Sequence, residues 1–108
     1  MKIRQFEVFK SRPHGFQADH WFVVLSAQER CDRAQSLQIN ALACFTLRGQ
    51  PSGTDVVLDS ADGFQAPTVV GCEFAHVLDK ARLHSSLGLV SWERQQQIKS
   101  KIKQLLRL

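Results

Sequence analysis

The first polar loop of the sequence carries three side chains that could bind a nucleic acid. Arg12 and His14 could contact a phosphate group, and the ring of Phe16 could stack on a base. A proline and a glycine alternate with them, which indicates a turn. An ordinary exposed turn has the same composition and is the more frequent case, so both interpretations stay open.

His20 and Trp21 follow that loop and open an apolar run at residues 20–26. An imidazole titrates near neutrality, so His20 could donate or accept a proton, although a single histidine is more often an ordinary polar residue. Trp21 could stack on a base, although a tryptophan at the start of a strand more often packs in a core or an interface. The run is rich in β-branched and aromatic residues and predicts a central strand.

Five or six short strands are predicted to position these residues. Apolar alternation predicts strands at residues 5–10, 20–26, 40–48, 54–58, 68–78 and 89–90, and residues 28–38 are predicted to be a polar connection. In the third strand, Thr46 and Arg48 fall on one pleat face. In the fifth, the alternation places Cys72 and Phe74 in the core and Glu73 on the opposite, open face, where Gly71 would form a groove floor beside it. A surface glutamate near an ordinary glycine is the equally frequent alternative.

The C-terminal segment predicts a helix. Ser91 is placed to cap it, and four apolar residues recur at positions i, i+4, i+7 and i+8: Ile98, Ile102, Leu105 and Leu106. We expect this stripe to face the sheet. The predicted architecture is mainly β with α, a small β-barrel or sandwich with the C-terminal helix packed on it.

Length and cysteine usage narrow the class of protein. A chain of 108 residues fits one domain, residues 1–108, with a substantial core. The three cysteines form no C-x-x-C pair and cannot close a complete disulfide framework, which indicates a reduced, cytoplasmic protein. No signal peptide is expected, and no apolar run is long enough to cross a bilayer.

The positive charge of the chain lies at its C-terminus. Residues 92–108 contain five basic residues and one acidic residue, which accounts for the whole net charge of +4. A solvated cationic helix face explains this concentration most simply. The basic isoelectric point is therefore only a weak indication of nucleic-acid binding.

An ordered set of segments resembles the MazF/PemK/Kid family of toxin endoribonucleases. The polar entry and apolar run at residues 20–26 are similar to the second strand of that family, and Thr46 falls where the family places a catalytic or substrate-positioning threonine. Residues 56–63, the segment Val69-Val70-Gly71-Cys72-Glu73 and residues 90–102 match further segments in the same order. The resemblance covers nearly the whole chain.

The resemblance implies an SH3-like small β-barrel, MazF/CcdB-like, that forms a homodimer. It also implies a toxin of a bacterial type II toxin–antitoxin system that cleaves single-stranded RNA without a metal or other cofactor. The expected partners are single-stranded RNA and a cognate antitoxin protein. Phe9 and Phe16, which look exposed in the pattern, are in keeping with a dimer.

The residues expected to catalyse cleavage are carried over from the family by position. Glu73 stands where the family has an acid proposed as the base, but Trp21 and Gly71 replace two family arginines. Arg48 is the expected replacement cation, and His20 a possible acid. Because those arginines are missing, a catalytically silent barrel that binds RNA or a protein is the alternative. A third option is an unrelated SH3-like adaptor domain.

Overall fold

The computed structural model describes residues 2–108 and contains six strands and two α-helices. The elements are β1 (Glu7–Ser11), β2 (His20–Val24), α1 (Gln28–Asp32), β3 (Gln38–Thr46), β4 (Asp55–Leu58), β5 (Thr68–Asp79), β6 (His84–Leu89) and α2 (Trp92–Leu106). Two short 3₁₀ helices, Ser60–Asp62 and Lys80–Arg82, flank β5. The predicted mainly β architecture with a C-terminal helix is confirmed.

All six strands join one antiparallel sheet in the order β4-β5-β3-β2-β1-β6. The sheet curls into a half-barrel, and α2 packs on β4 and β5 at one side of it. β2 and β3 lie in the middle of the sheet, where Phe22 pairs with Ala43 and Val23 with Leu42. The run of apolar residues in β2 therefore has covered neighbours on both faces, as a central strand requires.

Two apolar clusters cover the two faces of this sheet. The first, on the face that packs against α2, contains Phe6, Val8, Val23, Leu42, Cys44, Val56, Leu58, Phe64, Val70, Cys72, Val90 and Ile98. The second covers the other face and contains Ile3, Phe9, Phe22, Val24, Cys31, Ile39, Ala41, Ala43, Leu78 and Leu83. Phe9 is only 2% exposed, so its predicted exposure is wrong.

The apolar stripe of α2 is shorter than the sequence predicts. Ile98 is fully buried and Ile102 and Leu105 pack partly against the first cluster, but Leu106 is 64% exposed. Leu106 lies at the end of the helix, beyond the sheet, so nothing covers it. Ser91 stands at the N-cap position without a side-chain cap, and its N–H instead donates to Asp62 Oδ1 at 2.8 Å.

Asp62 joins the β4–β5 connection to α2. Its carboxylate is fully buried and also accepts from the N–H of Asp59 at 3.0 Å. Arg94 from α2 places its Nε 3.6 Å from Asp62 Oδ2 and another nitrogen 3.1 Å from Asp59 Oδ2. The buried charge is therefore paired and hydrogen-bonded, as burial of a charge requires.

Several predicted boundaries are wrong. β2 ends at Val24 and β3 at Thr46, earlier than predicted, and the predicted polar connection contains α1. The C-terminal carbonyls of α1 accept three hydrogen bonds from Lys80 Nζ, at 2.8 to 3.0 Å. A lysine distant in sequence thus supports a helix that is too short to be stable alone.

A bulge in β5 changes its pleat. Cys44 pairs with Val70, but Leu42 pairs with Ala75, so β5 has extra residues between these two pairs. The predicted regular alternation of side chains between the two faces of β5 is therefore wrong at this point. Phe74 is 51% exposed instead of buried, and its ring lies against Gly71, where an added Cβ would sit 2.5 Å from Phe74 Cδ2. Gly71 is covered by that ring, and the predicted open groove floor beside Glu73 is wrong.

Candidate functional site

The predicted binding loop folds onto the second face of the sheet. Phe16 lies edge-on to His20 at 5.0 Å and to His76 at 5.3 Å between ring centroids, and 6.0 Å from Phe22. His20 and Phe22 share this face because they are two residues apart on β2. The structure therefore brings His20 and Phe16 together in a half-exposed aromatic cluster.

Arg12 and His14 line two neighbouring clefts that share Arg82. Arg12 lines a cleft of about 320 Å³ with Asp19 and His84, while His14 lines a cleft of about 250 Å³ with Asp79. Both side chains belong to exposed residues. The loop thus presents cationic and titratable groups to solvent near its aromatic cluster, which suits a ligand with both phosphates and bases.

His84 contacts a carboxylate, and the sequence did not reveal this contact. Its Nε2 lies 3.1 Å from Asp19 Oδ2, and its Nδ1 lies 2.9 Å from the hydroxyl of Ser85. The first residue of β6 meets the end of the β1–β2 loop because β1 pairs with both β2 and β6. Nothing in the spacing of the sequence indicates this contact; only the pairing of β1 with β6 could have predicted it.

The other predicted catalytic residues do not line the clefts at Arg82, and within residues 2–108 no hydrogen bond joins them to one another. Thr46 ends β3 opposite Thr68, and both Thr46 and Arg48 are exposed. Arg48 follows the end of β3, so the strand pleat does not fix its direction as predicted. Glu73 lies in the β5 bulge and accepts a hydrogen bond from Thr54 Oγ1 at 3.3 Å. Among residues 2–108, no hydrogen bond or ion pair joins Glu73 to a cation.

Trp21 packs toward the first cluster rather than toward the aromatic cluster of the loop. Its ring lies edge-on to Phe64 at 6.2 Å, and Lys10 Nζ lies over it at 4.9 Å from the centroid. Lys10 and Trp21 are direct partners in the β1–β2 ladder. This packing favours the structural role that a tryptophan at the start of a strand usually has.

Two exposed phenylalanines form a second aromatic surface. Phe45 and Phe74 are 38% and 51% exposed, with ring centroids 5.6 Å apart in an edge-on arrangement. Phe45 lies on the same face of β3 as Ala41 and Ala43, which belong to the second cluster. The sequence prediction missed this pair because it placed Phe74 in the core.

The three cysteines are buried and unpaired. Burial raises the pKa of Cys44 strongly and that of Cys72 to about 11, and it also raises the pKa of Cys31. Thiols with raised pKa values are poor nucleophiles at neutral pH. Cys44 and Cys72 therefore act as small apolar residues of the first cluster.

Residues 2–108 contain no group of three or more His, Cys, Asp or Glu side chains arranged to hold a metal ion. Within the same range, neither helix has the length and apolar character that a membrane span requires.

Comparison with known proteins identifies the fold. No family profile and no curated protein matches the chain. A mycobacterial endoribonuclease, solved with its cognate antitoxin, has a TM-score of 0.81 at 18% identity over 99% of this chain and 95% of that chain. The Mycobacterium tuberculosis toxin MazF-mt6 gives 0.78 at 16% identity, over 94% and 97%.

A MazE–MazF structure from Deinococcus radiodurans gives a TM-score of 0.75 at 18% identity, over 98% of this chain and 96% of that chain. In each case the two folds agree along almost their whole lengths. The chain therefore has the MazF-like fold, and the predicted SH3-like barrel with its C-terminal helix is confirmed.

Proposed function

We propose that this protein is the toxin of a bacterial type II toxin–antitoxin system and cleaves single-stranded RNA. The observation that carries the proposal is the full-length agreement of its fold with solved endoribonuclease toxins. The exposed aromatic and cationic groups at the β1–β2 loop add support from this chain itself. Aromatic rings stack on unpaired bases, and guanidinium groups bind phosphates.

Arg12, His14 and Phe16 are the proposed substrate-binding residues. Phe16 holds its ring beside His20, and the two cation-lined clefts lie on either side of Arg82. Cleavage through the ribose 2′-hydroxyl needs a base, a cation at the phosphate and protonation of the leaving oxygen, and side chains can supply each of these. We therefore propose a reaction that requires no metal or other cofactor, in the cytoplasm.

The direct test incubates purified protein with a long single-stranded RNA in EDTA and analyses the products on a denaturing gel. Discrete fragments are the expected result, with a 5′-hydroxyl end on each fragment downstream of a cut. Double-stranded RNA of the same sequence is the matched control and should remain intact. If the protein leaves single-stranded RNA intact both with and without magnesium, the nuclease proposal is wrong.

A binding protein without cleavage activity is the second candidate. It is favoured by the positions of Trp21 and Gly71, which replace two arginines of the family: the first packs against Phe64 and the second lies under Phe74. Neither position offers a cation to a phosphate. Retention of RNA on a filter without cleavage, or tight binding of a protein partner alone, would support this candidate.

We also propose a homodimer and a cognate antitoxin as its protein partner. The solved relatives include complexes of a toxin with its antitoxin. Large apolar side chains remain uncovered on this chain, among them Leu37, Phe74, Trp92 and Leu106. Sedimentation at about 10 to 50 µM should give a dimer, since association depends on protomer concentration. A single monomeric species in that range would contradict it.

A further inference from the structure

One cleft combines a candidate proton-transfer group with two arginines. Arg12, Asp19, Arg82 and His84 line it, together with Ala81 and Leu83. It forms where the β1–β2 loop meets the 3₁₀ helix Lys80–Arg82 and the start of β6. None of these residues except Arg12 was expected from the sequence to take part in function.

The contact between Asp19 and His84 sets the state of the imidazole. The Asp19 carboxylate lies 3.1 Å from Nε2, and its negative charge favours the tautomer of the neutral ring that carries the proton on that nitrogen. The lone pair is then on Nδ1, where the Ser85 hydroxyl donates to it at 2.9 Å. A carboxylate that orients an imidazole in this way is the arrangement of a general base. The His84 side chain is 49% exposed, so a polymer can reach it.

The arginines of the cleft are available to an anion. Arg12 makes no ion pair or side-chain hydrogen bond with any of residues 2–108. Arg82 makes only a long contact, with its Nε 3.8 Å from Asp79 Oδ2. The side chains of Arg82 and Asp79 are each more than half exposed. An exposed pair at this distance is weak and can yield to a phosphate, which a guanidinium binds with two hydrogen bonds.

We propose that His84, oriented by Asp19, is the general base for RNA cleavage, and that Arg12 and Arg82 bind the scissile phosphate. This inference rests on the proposed function. The Ser85 hydroxyl turns away, and Nδ1 takes the proton of the ribose 2′-hydroxyl. The 2′-oxygen forms a bond to phosphorus while the bond to the 5′-oxygen breaks, and water protonates that leaving oxygen. The products are a 2′,3′-cyclic phosphate and a 5′-hydroxyl, and the imidazolium returns its proton to solvent.

Glu73 is the rival base, since the sequence resemblance indicates it. Its carboxylate is exposed and accepts from Thr54. Among residues 2–108 no arginine or lysine lies within ion-pair distance of it. The cleft at His84 brings the base and two cations together, whereas within residues 2–108 no cation contacts Glu73.

The test measures single-turnover cleavage of an RNA oligonucleotide, and binding of the same oligonucleotide with 2′-deoxy sugars. His84→Ala should slow cleavage by about two to four powers of ten. Binding of the 2′-deoxy strand should change by no more than about threefold, because the base itself makes no phosphate contact. Imidazole added to the buffer should restore part of the rate of this variant, which a purely structural role would not allow.

Asp19 is a positioning residue and has its own readout. Asp19→Asn should lower kcat with KM unchanged, and Asp19→Glu should retain part of the rate. Arg82→Ala should weaken binding of the 2′-deoxy strand and reduce the slope of log K against log salt by about 0.7, one phosphate contact on a single strand. Lys103→Ala, which removes an exposed charge from α2, is the matched control and should leave both measurements unchanged.

Four outcomes separate the alternatives. If the parent cleaves RNA and His84→Ala keeps its rate, the inference is overturned and the proposed function stands. If His84→Ala loses activity and added imidazole restores none of it, the catalytic role of His84 is also overturned. The same holds if Glu73→Gln loses activity and the His84 variant does not. If the parent never cleaves RNA, both proposals are wrong together. Should His84→Ala melt below the assay temperature, His84→Gln and Asp19→Asn decide by the same criteria.

Discussion

Replacing Asp62 with alanine tests whether one buried carboxylate holds α2 to the β4–β5 connection. The carboxylate accepts from the N–H groups of Asp59 and Ser91, at 3.0 and 2.8 Å. Alanine would leave both donors unsatisfied, at about 1 to 3 kcal/mol each, so the free energy of unfolding should fall by about 2 to 6 kcal/mol. Arg94 keeps its contact with Asp59 and adds less.

The assay is thermal unfolding followed by circular dichroism. For a domain of this size the loss corresponds to a decrease in Tm of about 10 °C or more. Asp62→Asn should recover only part of it, because the amide nitrogen would face one of the two N–H donors. Asp32→Ala, which removes an exposed carboxylate bonded only to Gln28, is the control and should change stability by less than about 0.5 kcal/mol. A parental Tm for Asp62→Ala would refute the reasoning.

Two further predictions concern the core. Ile98→Ala should destabilise the fold by about 2 to 5 kcal/mol in urea titrations, because it empties a fully buried site. Leu106→Ala, at the exposed end of the same helix, should change stability by less than about 0.5 kcal/mol, and equal losses would show that the helix packs differently. Because burial raises the pKa of Cys72 to about 11 and that of Cys44 further, folded protein at neutral pH should react with iodoacetamide far more slowly than unfolded protein. Rapid labelling of either thiol in mass spectrometry would contradict their burial.

The sequence predicts most of this fold because its patterns are local. The apolar run after His20 gives β2, and the helical spacing after Ser91 gives α2. The prediction of secondary structure is wrong where contacts with residues distant in sequence stabilise an element. Residues 28–32 form a helix whose carbonyl end is bonded to Lys80, and no pattern within the segment reports that contact.

The candidate site was harder to predict than the fold. Phe16 and His20 were expected near the substrate and do lie together, because they border the same strand. His84 was missed because it reaches Asp19 only through the pairing of β1 with β6. Glu73 was assigned because it lies in a segment similar to the family. The bulge in that segment breaks the regular alternation, so the position of Glu73 in the sequence does not predict the direction of its side chain on the sheet.

The bulge in β5 divides that strand into two segments whose pleats are out of phase. Val70 and Ala75 are five residues apart, yet both pair with residues of the first cluster's face, Cys44 and Leu42. The alternation of side chains between the two faces of the sheet is thus reset between them. Residues 68–71 lie between β3 and β4, whereas within residues 2–108 the segment that carries His76 pairs with β3 alone and so forms an open edge of the sheet.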